Sequence, residues 1–290
     1  MPARGYSFLI LLVAVLGLAG CERIDKSMEA RAARPPTAAR SPLKAREAMT
    51  YVRRPALPAL ATPQYGARSV ELGRSVMGTP LTLHTFGASP SPLLIIGGIH
   101  GDEPTAAFVA ERFLEQLRAD PSQARGGVAI LAVANPDGLA TGSRGNARGV
   151  DLNRNFSASN WKLNSPGSRY HGGPRPESEP ETQAMARAIL QTRPRAIIAL
   201  HSISGGRECN NYDGPAGALA EHMAGFNGYP PKASIGYPTP GSLGSWAGQD
   251  MGIPTITLEL PSAASGPTSW ERNRSALLAA IDGPRTALGQ

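Results

Sequence analysis

Leu93-Leu94-Ile95-Ile96-Gly97-Gly98-Ile99-His100-Gly101-Asp102-Glu103 is an apolar run that stops on an imidazole, with a carboxylate three residues further on. A short apolar run bounded by glycines reads as a buried strand, so His100 and Glu103 stand at a strand end. Hydrolytic zinc centres take three protein ligands and keep a fourth position for water, and two histidines with one glutamate is one of the known donor sets. His100 and Glu103 offer two of the three, although a His and a Glu this close also occur in ordinary loops. A second run, Ala196-Ile197-Ile198-Ala199-Leu200-His201-Ser202, ends in the same way. In open α/β sheets, sites form at the carboxyl ends of strands. His201 is therefore the candidate third ligand, the alternative being a core histidine hydrogen-bonded near a sheet end.

Working outward, apolar runs at 93–99, 127–133, 195–201 and 254–260 alternate with helix-like stretches near 104–118, 180–191, 216–225 and 268–282. That alternation predicts an α/β sandwich with a mixed, largely parallel central sheet flanked by helices. Ser178 with Glu181 three residues on, and Pro180 between them, reads as a capping box opening the helix near 179. The connections 134–178 and 202–253 are rich in Gly and Pro and longer than structural loops need, which points to function. His84, in the alternating stretch Leu81-Thr82-Leu83-His84-Thr85, is expected on a strand surface.

The N-terminus has a different character. Arg4, an apolar segment from Phe8 to Leu18 and then Leu18-Ala19-Gly20-Cys21 read as a lipoprotein signal over residues 1–20, with Cys21 as the lipidated first residue of the mature chain. The apolar segment is too short to span a bilayer comfortably. Residues 21–64 read as a disordered Ala/Pro/Arg-rich tether, and 65–290 as the catalytic domain. Residues 22–60 hold nine Lys or Arg against four Asp or Glu, which accounts for most of the formal charge of +7. The near-neutral remainder offers no basic face for nucleic acid. The expected location is the bacterial periplasm, with the membrane reached through Cys21; the absence of Asp at position 22 favours the outer membrane. Once Cys21 carries lipid, Cys209 is left as a single thiol without a disulfide partner. It reads as a small buried apolar residue rather than a nucleophile.

The ordered motifs resemble the zinc metallocarboxypeptidase family, the carboxypeptidase A-like enzymes, from Tyr65 to about Ser265. They are Gly73-Arg74-Ser75-Val76-Met77-Gly78; His100 with Glu103; Asn135-Pro136-Asp137-Gly138; Gly149-Val150-Asp151-Leu152-Asn153-Arg154-Asn155-Phe156; His201-Ser202; Tyr237 ahead of Gly241-Ser242-Leu243-Gly244-Ser245-Trp246; and Glu259 within Thr257-Leu258-Glu259-Leu260-Pro261. Within the family the likeness is to the bacterial murein peptide amidases, through residues 144–156, 178–184 and 236–242. These cut the amide between γ-D-glutamate and meso-diaminopimelate in peptidoglycan peptides.

The resemblance implies one Zn2+ on His100, Glu103 and His201, with Glu259 as general base. An apolar surrounding raises a carboxyl pKa toward the range such a base needs. Arg144 is implied as the cation facing the carbonyl oxygen. Asn153 and Arg154 are implied as the clamp on a substrate carboxylate, and Tyr237 as a hydrogen-bond donor closing over the site; Trp246 is expected to pack. Asp102 stands where the digestive enzymes carry Arg. The murein amidases act in the cytoplasm, whereas this chain carries an export signal, so periplasmic trimming of wall peptides is the expectation. A general carboxypeptidase acting on L-peptides would share the zinc and the clamp. A desuccinylase or aspartoacylase-like deacylase would share the ligands, and a wall-binding protein without activity would have lost one of them or Glu259.

Overall fold

The computed structural model of the protein describes residues 67–283. The signal segment, Cys21 and the tether lie outside the described residues. Eight strands form one sheet: β1 (Arg68–Arg74), β2 (Pro80–Phe86), β3 (Leu93–Ile96), β4 (Val128–Leu131), β5 (Ala196–Ile203), β6 (Cys209–Asp213), β7 (Pro231–Lys232) and β8 (Thr255–Pro261). Their order is β1-β2-β4-β3-β5-β8-β6-β7. The four central strands, β4, β3, β5 and β8, pair in parallel, while β1, β2 and β6 join antiparallel. The sheet is thus mixed, with a parallel centre.

Helices on both faces explain why the central runs are apolar at almost every position. Side chains alternate across a strand, so Leu93 and Ile95 of β3 pack with Phe113, Met223, Trp270 and Leu277 in one core layer. Leu94 and Ile96 face the other layer with Leu81, Phe156, Met185 and Trp246. The first layer is made by α1 (Pro104–Ala119), α4 (Gly217–Asn227) and α5 (Gly266–Asp282); the second includes α3 (Pro180–Thr192). Trp246 is buried and stacks on Phe156 with ring centroids 5.5 Å apart, so it packs as expected.

Two local findings bear on the site. Glu103 occupies the N-cap position of α1, yet its side chain makes no cap hydrogen bond, because the carboxylate is turned toward the histidines. The short helix α2 (Pro136–Thr141) is capped by the Asn135 side chain, which accepts from Gly138 N at 2.9 Å. It lies so close to the strand end that a Cβ at Gly101 would meet Gly138 C at 2.0 Å.

The capping box expected at α3 does not form. Glu179 is the N-cap residue, without a side-chain cap bond. Ser178 Oγ donates to Glu179 Oε1 at 2.7 Å, and Glu181 is fully buried, accepting from Val76 N at 2.9 Å and Asn146 Nδ2 at 2.9 Å. Tertiary partners have taken the carboxylate that a local cap would have used.

Candidate metal centre and its pocket

His100 follows the end of β3, Glu103 opens α1, and His201 lies near the end of β5, whose neighbours are β3 and β8. The sheet therefore brings residues about a hundred positions apart to the carboxyl ends of two neighbouring central strands. His100 Nδ1 lies 2.8 Å from Glu103 Oε1 and 3.1 Å from His201 Nδ1, and His201 Nδ1 lies 3.0 Å from Glu103 Oε2. All three side chains are buried. Two imidazole nitrogens and a carboxylate converging on one point form a donor set suited to zinc, and their ligand atoms all fall within 4.8 Å of one another.

Burial and charge oppose each other in this cluster. Burial depresses the His100 imidazole, but Glu103 and Asp151 outweigh it and push its pKa up to about 9. Burial likewise raises the Glu103 carboxyl, and the two histidines more than reverse this, holding it well below the usual carboxylate range. Burial dominates at His201 and lowers it.

Glu259 is in register with His201 across the parallel pair β5–β8. It is buried, and desolvation, followed by the nearby Glu103 charge, raises its carboxyl to about 7. Cys209 pairs with Glu259 from the other side, on β6. It is buried, as expected, and burial pushes its thiol up to about 11, away from a nucleophilic thiolate.

A pocket of about 490 Å³ brings together every metal and catalytic candidate of the described chain: His100, Glu103, Arg144, Asn153, Arg154, His201, Tyr237 and Glu259. Arg144 donates through Nε to Asp151 at 2.9 Å and through Nη1 to Glu103 at 3.3 Å. Asn153 is fixed at both ends, its Oδ1 accepting from Leu243 N at 2.9 Å and its Nδ2 lying 3.3 Å from His201 Nε2. Arg154 is buried and donates through Nη1 to the Asn153 carbonyl at 2.7 Å. Tyr237 stands half-exposed at the rim, its phenol pKa raised by burial and then by the Glu259 charge.

Asp151 is a residue that reading the motif missed. It is almost fully buried and accepts from His100 Nε2 at 3.0 Å and from Arg144 Nε. Burial would raise its carboxyl, but His100 and Arg144 hold it far below the carboxylate range. A carboxylate behind a ligating histidine fixes the tautomer that leaves the other nitrogen free for metal. Tyr170 was missed as well: the Arg144 and Arg154 guanidiniums lie 5.5 and 5.2 Å from its ring centroid, a cation–π arrangement that gathers both cations at one wall. The Asp102 of the departing motif pairs with Arg169 at 3.1 Å beside this wall.

The chain is similar to known proteins. Murein peptide amidase A of Escherichia coli K12 is 38% identical over 209 residues, covering 68% of this chain and 83% of that protein. The protein of the same name from Vibrio campbellii is 32% identical over 222 residues, covering 72% and 85%. Among solved structures, murein-tripeptide amidase from Escherichia coli O157 matches with a TM-score of 0.62 at 31% identity, over 77% of this chain and 97% of that one. A carboxypeptidase A from Helicoverpa armigera matches at 0.64 with 20% identity, over 77% and 68%, a likeness of fold alone. The profile of the family described as zinc carboxypeptidase matches residues 61–207, the stretch holding His100, Glu103, His201 and Asp151. With that donor set folded at the carboxyl ends of two central strands, the chain belongs to the zinc carboxypeptidase family.

Proposed function

We propose that this chain hydrolyses an amide in peptidoglycan-derived peptides, cutting between γ-D-glutamate and meso-diaminopimelate. The observation that carries the reading is the single pocket that holds the metal donors, a buried carboxyl raised to about 7 and two guanidiniums. The two relatives named murein peptide amidase A support the choice of substrate.

When bound, zinc acidifies a water and polarises an amide carbonyl. Glu259 takes the proton of the attacking water and returns it to the leaving nitrogen, a task for which a pKa near the working pH is suited. Arg144, held by Asp151 and Glu103, faces the charge that develops on the carbonyl oxygen. Asn153 and Arg154 hold a free α-carboxylate on the residue after the scissile bond, and Tyr237 covers the bound peptide. Incubation of the zinc-loaded protein with L-Ala-γ-D-Glu-meso-diaminopimelate, followed by mass spectrometry, is expected to release free diaminopimelate. Cleavage of an ordinary L-peptide with none of that tripeptide would transfer the chain to the general carboxypeptidases.

The clamp sets a further expectation. A tripeptide ends in the α-carboxylate that Arg154 would hold, whereas a tetrapeptide extended by D-alanine does not. Charge-assisted hydrogen bonds contribute about 1.5–3 kcal/mol, so Arg154→Ala is expected to lower kcat/KM on the tripeptide by roughly 10- to 100-fold and to remove the preference over the tetrapeptide. Equal wild-type rates on the two peptides would refute the clamp.

We further propose that the chain is exported and anchored in the periplasm through a lipid on Cys21, on the strength of Leu18-Ala19-Gly20-Cys21. Cys21→Ser is expected to move the protein from the membrane fraction to the soluble one; an unchanged distribution would count against lipidation.

A further inference from the structure

Beyond the metal and the clamp, the same pocket has a second polar end. Asp213, the last residue of β6, lines it together with Asn211 and Arg207. Asp213 Oδ1 accepts from Gln249 Nε2 at 2.8 Å, and the residue forms no ion pair among the described residues. Its position depends on two glycines of the π-helical turn Gly244–Asp250. A Cβ at Gly244 would lie 2.1 Å from Asp213 Oδ2, and one at Gly248 would lie 2.5 Å from Asp213 Cβ. A side chain at Gly244 would displace the carboxylate, and one at Gly248 would collide with the Asp213 Cβ and backbone, so the turn leaves this carboxylate its place.

Asn211 stands two residues earlier on the same strand, hence on the same face. It is 8% exposed, and its Oδ1 is buried without a hydrogen-bond partner among the described residues. A buried acceptor left alone is costly, and such groups are rare in folded proteins. Two acceptors on one wall, one ionisable and without a cation, suit a group that only donates, and an ammonium has three donors and no acceptor. Burial raises the Asp213 carboxyl, the direction expected of a carboxylate whose counter-ion arrives with the ligand. Arg207 is exposed on the loop between β5 and β6. It donates through Nε to Ser204 O at 3.0 Å and makes no ion pair among the described residues, so the rest of its fork is open to a carboxylate.

We infer that Asp213, Asn211 and Arg207 form a receptor for a zwitterionic side-chain end on the substrate residue after the scissile amide, with Asp213 and Asn211 taking its ammonium and Arg207 its carboxylate. The inference rests on the substrate reading above and supplies what that reading lacks, a means of telling diaminopimelate from residues that share only part of its side chain.

Three tripeptides differing only in the last residue test it: meso-diaminopimelate, L-2-aminopimelate, which lacks the side-chain ammonium, and L-lysine, which lacks the side-chain carboxylate. The wild-type protein is expected to favour the first over each of the others by on the order of tenfold or more in kcat/KM, the size of a lost charge-assisted contact. Asp213→Asn keeps the shape and is expected to abolish the advantage over the aminopimelate peptide. Zinc content and far-ultraviolet circular dichroism equal to wild type report an intact fold. Arg207→Gln is expected to abolish the advantage over the lysine peptide alone. Equal wild-type rates on the first two peptides, or a wild-type preference for lysine, overturn the receptor whatever the variants do, and leave the amidase reading standing. Failure to cut any of the three overturns the amidase reading itself.

Discussion

Glu259→Gln is expected to lower kcat/KM on the wall tripeptide by about 100- to 10,000-fold, the usual contribution of a positioned acid–base group, while zinc still binds. The same substitution should stabilise the metal-free protein. The Glu259 carboxyl sits near 7 in the fold against an ordinary value of 4.5, so between those pH values the native state holds a proton that the unfolded chain has released. Stability therefore falls as pH rises through that window, and above about 7 the buried charge costs about 3 kcal/mol. Glutamine carries no charge to bury. Urea unfolding of the metal-free proteins should show the variant more stable by up to about 3 kcal/mol at pH 8 and no different at pH 4. A variant that is inactive but no more stable at pH 8 would mean that the carboxyl is not desolvated as the fold implies.

The second large effect concerns a residue that contacts no metal. Asp151→Asn is expected to weaken zinc binding by about 10- to 100-fold, as observed when carboxylates behind ligating histidines are removed. His100 Nε2 now donates to Asp151, which leaves Nδ1 as the ligand. An asparagine amide can instead donate to Nε2, shifting the proton onto the nitrogen that faces Glu103 and His201. Arg144 also loses the nearer of its two buried counter-ions, so kcat should fall even at saturating zinc. Competition with a fluorescent chelator measures the first effect and kinetics in excess metal the second. Affinity within about twofold of wild type would show that Asp151 has no influence on the tautomer.

The strands that carry the ligands were readable because burial on both faces leaves an unbroken apolar run, and a histidine at the end of such a run stands out. Glu259 was readable for the same reason, as the one carboxylate in Thr257-Leu258-Glu259-Leu260-Pro261. β6 had no such signature: Cys209-Asn210-Asn211-Tyr212-Asp213 is polar, and it is a strand because it pairs with β8, a nonlocal fact. Asp213 and Asn211 went unread with it. Asp151 stood within a quoted motif, yet its partner His100 is 51 residues away, and nothing local marks a carboxylate as belonging to a distant imidazole. The capping box misled for the converse reason, since Ser178 and Glu181 have the spacing of a local device but are engaged by Asn155, Val76 and Asn146.

The in-register pair His201–Glu259 has an evolutionary consequence. A metal donor and the carboxylate expected to act beside it are set opposite each other by the hydrogen bonds of β5 and β8, so their spacing is inherited from the sheet and owes nothing to the segments that follow. Arg207, at the loop, and Tyr170, on the long connection after β4, can drift, lengthen or be exchanged without moving that pair. Exchanging the 204–208 loop, which lies outside both strands, is therefore expected to alter which peptide is cut and to leave the pair in place.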